Sequence, residues 1–156
     1  MSERLALAGR IRASLEDVRF TVNRAMMLAE KGRRSGDDDY WDGVALNLHG
    51  FYSGVEQIFE DIARTIDGDL PSGAEWHISL LRQMTAEMGK LRPAVIEIET
   101  RRQLDEYRGF RHIVRNVYAF NLRPSRLNEL VNDAPDCFAN LTSDLMAFAD
   151  FLEKTA

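Results

Sequence analysis

The chain has 156 residues, of which 45% are hydrophobic and 29% charged, and its formal net charge at pH 7 is −5. These values allow one sizeable core, so we expect a single domain over residues 1–156. No apolar run approaches about eighteen residues, which excludes a membrane span. The negative net charge excludes a domain that is basic throughout. The beginning of the chain lacks the apolar core of a signal peptide, which predicts a cytoplasmic protein.

The first predicted helix covers residues 3–31. Its apolar residues recur at spacings of three and four, which is the pattern of an amphipathic helix, and Gly32 is expected to end it. The segment GRRSGDDD that follows is predicted to be a solvated connection whose aspartates cap the next helix.

The second predicted helix runs from Tyr40 to about Asp67. Its predicted buried face is broad and consists of Leu46, Phe51, Val55, Ile58, Phe59 and Ile62. Gly43, Gly50 and Gly54 interrupt it, and each costs up to about 1 kcal/mol relative to alanine in a helix interior. We therefore expect these glycines to admit a closely packed neighbour.

A short third helix is predicted after the turn DGDLPSG. Ser72 and Glu75 have the spacing of a capping box, and the helix is expected to continue to about Met88.

Two long helices complete the chain. Pro93 suits a first helical position, so the fourth helix is expected from there to about Asn121. The fifth is predicted over residues 125–153, bent or broken near Pro135. No strand-like alternation occurs, so the predicted fold is all-α: an up-and-down antiparallel bundle of four long helices and a short one.

The fourth helix contains the stretch EYRGFRHIVRNVYAFNL, residues 106–122. On a helical wheel its predicted core face is formed by Gln103, Phe110, Val114 and Val117, with Tyr107 and Ile113 on the flanks. The opposite side carries the basic residues Arg108, His112 and Arg115. Arg111 and Tyr118 are predicted at the edge between the two sides.

Two interpretations of the basic side are open. It is either a solvated face paired with surface carboxylates or a cluster that gathers phosphate. Guanidinium groups at residues 108, 111 and 115 suit phosphate because they stay charged and form two parallel hydrogen bonds to its oxygens.

The stretch FRHIVRNVY resembles the signature of the HEPN superfamily, specifically of the HepT-like ribonuclease toxins. The blocks ALNLHGFYSGVEQIFEDIARTIDGDLPSGAEWH, LLRQM, RPAV and FRHIVRNVYAFNL are similar to consecutive blocks of one HepT-like branch. The resemblance implies a helical bundle that dimerises around the signature helices. Arg111 then occupies the signature arginine position, His112 the polar position after it, and Tyr118 the trailing tyrosine position.

Asn116 stands where the family carries its catalytic histidine. An asparagine amide donates hydrogen bonds but does not exchange a proton at neutral pH, whereas metal-independent RNA cleavage needs a base and an acid. His112 is one turn away and is a candidate replacement, with Arg111 holding phosphate and Asn116 orienting the substrate. The alternative is a non-catalytic dimer that binds RNA, a nucleotide or a protein.

The resemblance also implies a partner, a minimal nucleotidyltransferase antitoxin that adds AMP to the signature tyrosine, here Tyr118. His49 and His77 lie on separate predicted helices without metal-ligand spacing, and we interpret both as packing or capping residues. No metal site and no cofactor are predicted.

Overall fold

A computed structural model describes the backbone of residues 2–116 and 122–156 and the side chains of residues 2–114 and 122–156. The helices are α1 (Glu3–Ser35), α2 (Asp39–Ile62), α3 (Trp76–Met84), α4 (Ile98–Asn116) and α5 (Pro124–Lys154). A π-helical turn, Ala63–Asp67, extends α2. The described ranges contain no β-strand, so the predicted all-α bundle of four long helices and one short helix is confirmed.

The helices enclose one hydrophobic core to which each of them contributes. α1 packs along α2 and α5, α4 packs against α2 and α5, and α3 covers the side where α2 meets α4. Within the described ranges no helix is long and apolar enough to cross a bilayer.

The first helix is longer than predicted. It continues to Ser35, and Gly36, with φ of 68°, forms its left-handed C-terminal cap. Gly32 stays helical because Trp41 packs directly on it, so that a Cβ atom at this position would lie 3.0 Å from the indole Nε1. The prediction that Gly32 ends α1 is wrong, because close packing and not helix termination requires glycine there.

Glycines on α2 allow α1 to approach closely, as predicted. A Cβ atom on Gly43 would lie 2.8 Å from Cδ1 of Leu28, and one on Gly54 would lie 2.9 Å from Cγ2 of Val18. Since residue numbers rise along α2 as they fall along α1, these contacts also show that the two helices are antiparallel.

Replacing Gly54 by alanine is expected to lower the free energy of unfolding by about 1–3 kcal/mol, because Val18 must move out of its packed position. Gly9→Ala on α1 is the matched control, since nothing lies within 4 Å of its added Cβ atom. That change should raise stability by up to about 1 kcal/mol through helix propensity. Urea denaturation measures both values, and equal shifts in the two variants would contradict the packing explanation.

Leu46 does not belong to the buried face of α2, contrary to the prediction. Its exposed fraction is 71%. The helical wheel places it about 140° from Phe51, beyond the sector that faces the core.

The third helix is shorter than predicted and begins without the predicted capping box. Glu75 is the N-cap residue, but no side-chain cap bond forms there, and α3 ends at Met84 and not at Met88. The prediction that Ser72 caps α3 is therefore wrong, because three residues still separate it from the first helical residue, Trp76.

The fourth helix begins at Ile98, five residues after the predicted start at Pro93. The segment before it is irregular because it wraps around the buried guanidinium of Arg92, which donates to the carbonyl oxygens of Ala86, Pro93 and Gln83. In a helix that began at Pro93, the carbonyl oxygen of Pro93 would accept a hydrogen bond from the helix backbone and not from Arg92.

The fifth helix continues without a break through Pro135, so of the two predicted possibilities, a bend or a break, the break is wrong. Packing against α1 and α4 on both sides supports this helix. One of the contacts is the hydroxyl of Tyr107, which donates to the carbonyl oxygen of Leu130 at 2.7 Å.

Candidate functional site

Arg111 lies on the buried face of α4, with 6% of its surface exposed. Leu104, Tyr107 and Phe110 share this face. The prediction that Arg111 sits at the edge of the core is wrong, because α4 packs against both α2 and α5 and its buried sector is rotated toward residue 111.

The predicted core face is displaced as well. Gln103 and Val114, both predicted on it, are only half-buried, and Gln103 accepts a hydrogen bond from Asn140. Of the two predicted flank residues, Tyr107 is buried and Ile113 has half of its surface exposed. Val117 lies outside the described residues. The inward rotation of Arg111 thus turns Ile113 toward solvent.

The guanidinium of Arg111 is paired with Glu56 on α2. Nη2 of Arg111 lies 2.8 Å from Oε1 of Glu56, and the two side chains are 7% and 6% exposed. Nη1 lies 3.4 Å from the hydroxyl oxygen of Ser53, and the ring of Tyr52 lies 5.1 Å from the guanidinium carbon. A charge this deeply buried needs a partner of opposite sign, and each member of the pair supplies one for the other.

His77 joins this ion pair from α3. Its Nδ1 lies 2.8 Å from Oε2 of Glu56 and 2.7 Å from Nη2 of Arg111. The ring of Trp76 lies against the imidazole, with 3.7 Å between the ring centroids. The His77 side chain is 23% exposed, so the cluster of Glu56, His77 and Arg111 reaches the surface through this imidazole.

A single nitrogen connects His77 to both partners. Nδ1 donates a hydrogen bond to Glu56 when it carries a proton and accepts one from Arg111 when it does not. The imidazole therefore has two alternative hydrogen-bonded states, and the position of its proton decides between them.

Tyr52 borders the cluster but does not titrate near neutral pH. Burial raises the pKa of its hydroxyl well above the usual range, and the nearby carboxylate of Glu56 raises it further. Tyr52 thus supplies a ring face to Arg111 and no proton transfer.

The other predicted site residues lie elsewhere or outside the described residues. His112 is exposed, so its side chain and that of the buried Arg111 lie on different faces of α4. Arg108 is 22% exposed and forms an ion pair with Asp105 at 2.7 Å. The side chains of Arg115 and Asn116, and all of Tyr118, lie outside the described residues.

A cavity of about 480 Å³ opens between α3 and α4, and its lining does not include Glu56, His77 or Arg111. Its lining holds four arginines and two carboxylates: Arg82, Arg101, Arg102, Arg108, Asp105 and Glu106. Ile78, which follows His77 in the chain, also lines it. The cavity is therefore locally positive on a chain whose net charge is −5.

Two of these arginines have no carboxylate partner among the described residues. The nearest polar contact of Arg101 is a 3.3 Å hydrogen bond to the hydroxyl of Thr85, and Arg82 is exposed. Arg102 pairs with Glu99 on its own helix. Arg82 and Arg101 therefore present their charge to whatever enters the cavity.

Sequence reasoning missed Glu56 and His77. A carboxylate between Val55 and Phe59 on the apolar stripe of α2 was the available signal, because such a residue needs a buried cation. His77 carried no corresponding signal, since its partners come from two other helices. Within the described ranges no three histidine, cysteine or acidic side chains cluster as metal ligands would.

A family model described as a HepT-like protein matches residues 43–152. The matched range includes Glu56, His77 and Arg111 as well as all the sequence blocks quoted above. No curated protein and no solved structure matches the chain.

Proposed function

Because the chain belongs to the HepT-like family of HEPN proteins, we propose that it is a metal-independent endoribonuclease of a toxin–antitoxin system. The observation that carries this proposal is the positive cavity between α3 and α4, whose arginines offer cations for the phosphates of an RNA strand. The cluster of Glu56, His77 and Arg111 does not line this cavity but lies on the same two helices and on α2.

The charges of the cavity favour a polyanion as its ligand. Arginine binds phosphate oxygens through two parallel N–H bonds, and it stays charged at physiological pH. In single-stranded RNA each neutralised phosphate releases counterions, so that affinity falls with salt concentration by about 0.7 logarithmic units per contact and per tenfold salt. Local arginines thus bind RNA even though the whole chain is acidic.

The signature residues take different parts in this proposal. Arg111 is buried and paired with Glu56, so it acts as a positioning residue that holds the cluster together. Arg108 lines the cavity and contacts phosphate. Arg115 is a second phosphate contact, and Asn116 orients the substrate by hydrogen bonding. Proton transfer falls to a histidine, either His112 or His77.

The family membership also supports two partners. One is a second copy of this chain, joined through the signature helices. The other is a minimal nucleotidyltransferase antitoxin, with Tyr118 as the acceptor of AMP in the cytoplasm.

A non-catalytic binding module is the second candidate. It is favoured by Asn116 at the position of the family's catalytic histidine, since an amide cannot replace an imidazole in proton transfer. The cavity arginines serve RNA binding equally well in both candidates. Cleavage therefore has to be measured separately from binding.

The double variant Arg82→Glu with Arg101→Glu is expected to weaken binding of fluorescently labelled single-stranded RNA by at least about tenfold. Loss of two phosphate contacts should also flatten the dependence of log affinity on log salt by about 1.4. Fluorescence anisotropy over a salt series measures both quantities.

The matched control is Arg24→Glu with Lys31→Glu, which makes the same charge change at exposed positions of α1. Equal loss of affinity in the two double variants would exclude the cavity as the binding site. Cleavage of the same RNA in EDTA then separates the two candidates, because the ribonuclease cuts it and the binding module leaves it intact. Asn116→His should restore cutting in the second case.

A further inference from the structure

The cluster of Glu56, His77 and Arg111 combines a carboxylate, an imidazole and a guanidinium within hydrogen-bonding distance of one another. We propose that His77 on α3 is the catalytic histidine. It performs the proton transfer for which the family uses a histidine at the position of Asn116. This inference rests on the proposed ribonuclease function and identifies the residue that performs its central step.

Glu56 gives His77 the environment of a catalytic base. Its Oε2 lies 2.8 Å from Nδ1, so that the carboxylate holds the Nδ1–H tautomer and leaves Nε2 to exchange a proton. Glu56 is itself fixed, because Arg111 binds its other oxygen at 2.8 Å.

The hydrogen bond that Nδ1 of His77 makes depends on which ring nitrogen carries the proton. When the proton of the neutral imidazole is on Nε2, Nδ1 accepts a hydrogen bond from Arg111. When Nδ1 carries the proton, it donates to Glu56 and Nε2 is free to act as a base. Only the Nδ1–H tautomer, held by Glu56, leaves Nε2 able to accept a proton, so the bond from Arg111 belongs to the resting tautomer that cannot act as a base at Nε2.

His77 is open to solvent, although it does not itself line the arginine cavity. The imidazole is 23% exposed although both of its hydrogen-bonding partners are buried, and the next residue, Ile78, lines the arginine cavity. By contrast, His112 is exposed on a different face of α4 from the buried Arg111. His77 has the buried carboxylate of Glu56 beside it.

The proposed reaction needs no reagent other than water. Nε2 of His77 takes the proton of the ribose 2′-hydroxyl, the 2′-oxygen bonds to phosphorus, and the bond from phosphorus to the 5′-oxygen breaks. The leaving oxygen takes a proton from water, and the hydroxide that remains recovers the proton held by His77. The products are a 2′,3′-cyclic phosphate and a 5′-hydroxyl end.

His77→Ala should reduce the rate of RNA cleavage in EDTA by about 10²–10⁴-fold while RNA affinity is unchanged. Free imidazole added to this variant should restore part of the rate, because it enters the space vacated beside Trp76. A residue with a purely structural role would not respond to imidazole. His77→Asn is the second variant, since its amide still donates to Glu56 and preserves the fold while the proton transfer is lost.

The outcomes are distinct. A wild-type protein that binds RNA but never cleaves it would overturn the proposed ribonuclease and this inference together. Cleavage by the wild type that persists in both His77 variants would overturn the role of His77 alone. Loss of cleavage in His112→Ala combined with retention in His77→Asn would assign the proton transfer to His112.

Discussion

Arg111→Met should lower the free energy of unfolding by about 3–5 kcal/mol, because it leaves the carboxylate of Glu56 buried without its cation. Glu56→Leu should lower stability by a similar amount, since it leaves the guanidinium of Arg111 buried without its carboxylate. The double variant replaces the pair by two apolar side chains and should cost much less than the sum of the single changes. Urea denaturation of the four proteins measures the coupling energy directly.

A surface ion pair provides the control for this cycle. Arg10 and Asp61 approach to 2.8 Å, but their side chains are 49% and 28% exposed. Arg10→Met should therefore cost less than about 1 kcal/mol. Similar losses of unfolding free energy in Arg10→Met and Arg111→Met would show that burial does not increase the contribution of the Arg111–Glu56 pair to stability.

The same cycle separates stability from catalysis. The double variant at residues 56 and 111 should regain stability but remain inactive on RNA, because His77 has lost both of its polar partners. An inactive Arg111→Ala protein, taken alone, does not establish a catalytic role for the arginine, since unfolding has the same effect. Activity must therefore be compared at equal folded fraction.

Arg92→Lys should be nearly as damaging as Arg111→Met, with a cost of about 3–5 kcal/mol, because several buried acceptors lose their donors. Arg92 binds Asp67 through two N–H groups, at 2.6 and 2.8 Å, and both side chains are completely buried. Its remaining N–H bonds go to three backbone carbonyls. A lysine ammonium cannot satisfy this planar set of acceptors.

Arg102→Lys is the matched control for this change. Arg102 pairs with Glu99 one turn away on α4, and both side chains are more than half exposed. The substitution should change stability by no more than about 0.5 kcal/mol. A loss in Arg92→Lys that is equally small would contradict the view that this guanidinium organises the segment between α3 and α4.

The helical fold could be predicted because helix periodicity is a local property of the sequence. The glycine contacts of α2 were also predictable, since glycine in a helix interior is costly unless a neighbour requires it. Helix ends were less predictable. The start of α4 depends on the buried Arg92, whose partners are brought to it by the fold as a whole.

The site was only half predictable for the same reason. Arg111 was identified from its position in a family signature, but its burial follows from how α4 packs on α2 and α5. His77 reaches Arg111 from 34 residues away in the chain, and no spacing rule connects them.

The shortness of α3 has a thermodynamic consequence for this site. A helix of nine residues is not stable by itself in water. Its order comes from the burial of Leu80, Leu81 and Met84 in the core, with further bonds from His77 to Glu56 and from Gln83 to Asp67. Assembly of the site therefore depends on the docking of α3, and undocking this helix would remove the imidazole from Glu56 and Arg111.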